Sequence, residues 1–125
     1  MGEMRGLGDR AERYVLKWRT RLGKETTTQH LDLLVAALLP GEWRFVKFYR
    51  SDVHPMPMPL LWISGAEDIG LVVTVLATPG GTWGYYEAQR GRHGYLFPCG
   101  NAAQAGMQID RLLRDRINQR RPPIY

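Results

Sequence analysis

The chain is poor in cysteine and histidine, has no long apolar run, and carries no lysine or arginine from 51 to 89. Each scarcity excludes something. Cys99 is the single cysteine, so no intramolecular disulfide can form and the cysteine-rich zinc patterns are ruled out. A lone thiol also suits a reducing compartment. The three histidines, His30, His54 and His93, are scattered and match neither H-E-x-x-H nor H-x-E…C-x-x-C, so no metal and no cofactor is expected. Pro79-Gly80-Gly81-Thr82 is followed by neither a helix nor a lysine, and no P-loop or G-x-G-x-x-G occurs. These glycines, with Gly91 and Gly94, read as turns. The densest apolar run, residues 31–39, is too short to span a bilayer. The opening MGEMRGLGDR has no apolar h-region, so no secretion and no membrane association is expected, and the expected location is cytoplasmic.

What remains is an ordinary globular composition. Of 125 residues, 44% are hydrophobic and 23% charged, and a chain of that length buries about two thirds of its unfolded surface. The net charge of +5 is unevenly spread. Residues 51–89 contain no lysine or arginine, only Asp52, Glu67, Asp68 and Glu87. The cations lie at the two ends, with Arg111, Arg114, Arg116, Arg120 and Arg121 close together. Such a cluster is a solvated helix face or a site for an anionic partner. Arginine outnumbers lysine fourteen to three, which with the glycine, alanine and proline content suggests a GC-rich coding sequence. The outline resembles many small bacterial α+β proteins.

Residues 1–8 lack periodicity and are expected as a disordered lead-in. Asp9 and Glu12 have capping-box spacing, and Ala11, Tyr14, Val15, Trp18 and Leu22 recur at helical spacing, predicting an amphipathic helix over 9–22 stopped by Gly23. Thr26 and Gln29 repeat the capping signature before Leu31, Leu34, Val35 and Leu38. Leu33, Ala36, Ala37 and Leu39 fill the other sides, so this second helix should be deeply buried. From Trp43 the period drops to two, predicting a strand over 43–50; the continuous β-branched and apolar run 71–77 reads as a central, doubly covered strand, and segments bounded by turn signals read as strands over 60–64, 83–89 and 95–97. The segment VHPMPMP, with prolines at alternate positions, is an extended connection and not a central strand. Asn101 is a good N-cap for a last helix whose apolar face is Ala102, Ala105, Ile109, Leu112, Leu113 and Ile117. The expected fold is α+β: an antiparallel meander of four to five strands flanked by two N-terminal helices and one C-terminal helix, order α-α-β-β-β-β-β-α. One domain covers 9–119, and 120–125 form an extended tail.

Three functional expectations follow. Aromatic side chains point both ways along the strands, since neighbours such as Tyr85 and Tyr86 face opposite sides. If helices cover one face, the other displays an aromatic surface, assigned to Trp43, Phe45, Tyr49, Trp83 and Tyr85. That pattern favours a non-enzymatic protein-binding or adaptor module, including self-association as a homodimer. The alternative is an accessory nucleic-acid-binding protein using Arg111, Arg114, Arg120 and Arg121. It lacks an RNP signature, and the acid-only middle of the chain argues against the sheet as a phosphate track. The third is a small cysteine-dependent enzyme pairing Cys99, placed before a helix, with His93.

Overall fold

The computed structural model describes residues 2–49, 58–66 and 69–120, with side chains from 11 to 119. The expected order is observed. Helices α1 (Gly2–Leu22) and α2 (Lys24–Leu38) precede strands β1 (Arg44–Phe48), β2 (Leu60–Ser64), β3 (Gly70–Thr78), β4 (Thr82–Glu87) and β5 (Tyr95–Pro98), and α3 (Ala102–Arg120) follows. Short 3-10 turns occupy Leu39–Gly41 and Ala88–Gly94. The strands form one antiparallel sheet in chain order, β1-β2-β3-β4-β5. His54, most of the proline-rich connection, the Glu67-Asp68 turn, Arg121 and the rest of the tail lie outside the described residues.

The register assigns side chains to two faces. Phe45 pairs with Ile63, Ile63 with Leu71, and Val75 with Tyr85. This set, with Leu61 and Val73, meets Leu31, Leu34 and Leu38 of α2 and Ala105, Ile109 and Leu113 of α3 in one core. Gly106 lets α3 approach α2, since a Cβ there would lie 2.9 Å from that of Ala37. The predicted apolar face of α3 is therefore correct, and Asn101 caps it, accepting from the Gln104 amide at 3.2 Å. The β3–β4 hairpin closes through Pro79-Gly80-Gly81, where φ of +81° and +77° demands glycine.

Four local expectations fail. First, α1 begins at Gly2, so residues 2–8 are helical and not a lead-in. Its helix-forming Glu3, Met4, Arg5 and Leu7 are interleaved with Gly2, Gly6 and Gly8, so local propensity alone does not account for the extension. Second, Thr26 and Gln29 form no capping box. The helical bonding runs almost unbroken through a kink, with Gly23 N–H donating to Arg19 and Thr27 N–H to the Gly23 carbonyl, both at 2.9 Å. With few free amides to satisfy, α2 carries no side-chain cap, and the Thr27 and Thr28 hydroxyls bond back to the carbonyls four residues earlier. Third, α2 is buried on one side only: Leu33 is 53% exposed and Ala36 is exposed, as is Leu39 just beyond the helix end. Two layers leave a helix one inner side, and its other apolar residues face out. Fourth, the apolar stripe of α1 does not enter the core, for the reason below.

Candidate functional site

Helix α1 docks with its polar side. β2 pairs with β3 only from Gly70 to Val73, so the far half of β3 has no strand on that edge. Its backbone groups need other partners. The Thr20 hydroxyl accepts from the Ala77 amide at 3.0 Å and donates to the Leu16 carbonyl at 2.9 Å. Arg19 donates to the Thr78 and Thr82 carbonyls at 2.8 and 3.0 Å, its guanidinium 5.4 Å from the Trp83 ring centre. Arg92 donates to the Ala77 carbonyl at 2.9 Å. A helix that replaces a strand at a sheet edge needs hydrogen-bonding side chains on its inner side: α1 supplies Thr20 to the edge beside Leu16, and Arg19 to the end of the β3–β4 hairpin. Gly23 continues that side against Trp83, where a Cβ would come within 2.5 Å of the ring.

Thr20 and Leu16 stand two residues either side of Trp18, about 160° around the helix from it. The stripe of Tyr14, Val15, Trp18 and Leu22 is thereby turned outward, 62%, 54%, 46% and 78% exposed. Tyr14 and Trp18 meet edge to face, with ring centres 6.0 Å apart. With Lys17 and Arg21 they line a small hollow of about 100 Å³. Residues 11–24 hold five cations, Arg13, Lys17, Arg19, Arg21 and Lys24, against the single anion Glu12.

The five aromatic residues assigned to an open face are on the covered one. Tyr85 is fully buried and donates to the His30 carbonyl at 2.7 Å. Trp43 is buried, its Nε1 donating to Asp110 at 2.8 Å beneath Arg114. Phe45, Tyr49 and Trp83 pack against the same core, with the Tyr49 hydroxyl donating to Asp32 at 3.1 Å. Alternation sorts strand residues into two sets without saying which set receives the helices, and α2 and α3 take the more aromatic one. On the opposite face Val46 and Phe48 are exposed, Thr74, Leu76 and Tyr86 are buried, and Tyr95, 52% exposed, stacks edge to face on Tyr86.

Two of the arginines of α3 are held in ion pairs. Arg114 binds Asp110 at 2.8 Å, and its hydrogen bond holds that carboxyl below the usual range. Arg116 forks onto the buried Glu87, both contacts at 3.1 Å. Arg111 is exposed, and Arg120 ends the helix. Cys99 is half-buried, and burial pushes its thiol up to about 12, the reverse of activation. His93 is exposed on the 3-10 turn. His30 lies edge to face with Tyr85, its Nδ1 buried without a partner, and burial lowers its pKa, which favours the neutral ring. Among the described residues no three His, Cys, Asp or Glu side chains gather as metal ligands, and no helix there is long and apolar enough to cross a membrane.

Sequence reasoning missed Thr20, Arg19 and Arg92. A signal exists for the first: Leu16, Thr20, Gly23 and Thr27 are spaced four, three and four apart, a second stripe with small and polar members. Comparison with family models, with curated proteins and with solved structures finds no match in any of the three.

Proposed function

We propose that this protein is a binding or adaptor module that engages a protein partner through the outer side of α1. The observation that supports the reading is the outward stripe itself. A helix whose apolar and aromatic residues point away from its own core exposes roughly 400 Å² of apolar surface, the size of the largest patch on a typical monomer, which is often a functional one. Trp and Tyr at its centre are the residue types that dominate binding energy at interfaces. The stripe takes over the role first given to Trp43, Phe45, Tyr49, Trp83 and Tyr85, because those five side chains pack on the protein's own core.

The test is partner capture and sedimentation with the wild-type chain and with Trp18→Gln/Leu22→Gln. Both positions are exposed, so the variant should retain its melting behaviour and lose captured partners. If the wild type is strictly monomeric and captures the same proteins as the variant, the module reading has no support.

A further inference from the structure

Resting on that reading, we propose that the partner presents an acidic amphipathic helix, laid along α1 with its acidic edge beside Lys17 and Arg21. The geometry of the stripe is helical. Ala11, Tyr14, Val15, Trp18 and Leu22 follow i, i+3, i+4, i+7 and i+11, a row about 16 Å long that one partner helix would cover. The area fits the same occupant: roughly 400 Å² is about half of what each partner gives to a standard globular interface.

Charge selects among occupants. A second copy docked antiparallel through its own α1 would set Lys17 and Arg21 against their own counterparts, and like charges across an interface oppose association. An anionic partner is favoured instead. The basic charge is also one-sided. Lys17 and Arg21 border the stripe on the side that carries the Tyr14–Trp18 hollow. Arg19 and Glu12 lie on the other border, where Arg19 is turned inward onto the Thr78 and Thr82 carbonyls and Glu12 is exposed. A uniformly anionic lipid surface would meet that carboxylate on approach. A helix with one acidic edge would not.

The test uses fluorescence anisotropy with two synthetic probes of about three heptads each, leucine at a and d and either glutamate or lysine at the flanking positions. The full-length chain should bind the glutamate peptide at least about tenfold more tightly than the lysine peptide. Trp18→Gln/Leu22→Gln should weaken the glutamate peptide by about tenfold or more, and Lys17→Glu/Arg21→Glu should reverse the preference. Circular dichroism checks that each variant is folded, and the charge reversal, at exposed side chains, serves if the first variant is not. The proposal is overturned by equal affinity for the two peptides, by no binding at about 100 µM, by binding that neither variant alters, or by Trp18-dependent binding to phosphatidylserine vesicles in place of the peptide. It is also overturned if the wild type sediments as a dimer that Trp18→Gln/Leu22→Gln dissociates. Should the peptides fail while partner capture remains sensitive to Trp18, the acidic-helix partner falls and the module reading stands; if capture is also insensitive, both fall.

Discussion

Replacing Thr20 with valine tests how α1 is attached. The two side chains have nearly the same shape and similar helix propensity, so neither a cavity nor a helical penalty intervenes. What the substitution removes is the acceptor for the Ala77 amide, 3.0 Å away on a fully buried residue. No strand lies on that edge to take over, because β2 ends its pairing at Val73. A buried amide left without a partner costs about 1–3 kcal/mol. Losing the bond from Thr20 to the Leu16 carbonyl costs little, since that carbonyl keeps its place in the helical ladder. Thr20→Val should therefore lower stability by about 1–3 kcal/mol, with an unchanged slope in urea. Hydrogen exchange gives the local readout: the Ala77 amide should exchange faster by about fivefold to over a hundredfold, the same range expressed as an opening constant. Thr20→Ser keeps the hydroxyl and should cost under about 1.5 kcal/mol, the loss of one methyl. If Thr20→Val unfolds at the wild-type urea midpoint and leaves Ala77 exchange untouched, α1 is not held by this bond.

Three further outcomes follow from other contacts. Arg116→Met strands the Glu87 carboxylate, whose side chain is only 9% exposed, and should cost about 3 kcal/mol by denaturation; adding Glu87→Gln should recover part of that loss, and a double variant no better than the single would contradict the pairing. Tyr85→Phe removes the bond to the His30 carbonyl and should cost about 0.5–1.5 kcal/mol, because that carbonyl still accepts within α2. Burial pushes the Cys99 thiol up to about 12, so its contribution is complete below the ordinary thiol range and is lost as pH rises toward 12, where the unfolded thiol ionises more readily; wild type should lose stability relative to Cys99→Ser over that interval, and rapid alkylation of the native thiol at neutral pH would refute its burial.

The fold class was legible because it rests on period. The first strand was read through alternation, β3 through its continuous β-branched run, the β3–β4 turn through Pro79-Gly80-Gly81, and α3 through Asn101 and a single apolar face. What period does not carry is direction. The sheet has two alternating sets, and nothing in the spacing says that Phe45, Trp83 and Tyr85 belong to the helix-covered one. Helix α1 has two stripes, and the more hydrophobic one loses. Its position is decided by an unpaired stretch of β3 that appears only once the short β2 is paired in register. Thr20 and Arg19 are thus structural residues whose purpose is defined by a strand some 57 residues away. The outward stripe was visible as residues and invisible as a surface.

Leu22→Gln separates the two orientations of α1 by energy alone. Were the stripe the inner side, Leu22 would be a core leucine, and truncating or polarising it would cost about 2–5 kcal/mol. It is instead 78% exposed, so little apolar area returns to water on substitution. Leucine and glutamine have similar helix propensity, which leaves an expected loss of no more than about 0.5 kcal/mol. Leu31→Ala calibrates the measurement within the same protein, since Leu31 is fully buried in α2 and should show the 2–5 kcal/mol scale. A loss above about 2 kcal/mol at Leu22 would mean that the stripe packs on the body of the protein. A loss that appears only at high protein concentration would mean that a second copy covers it. A small, concentration-independent loss leaves an apolar stripe that the fold does not need, and a partner becomes the remaining physical use for it.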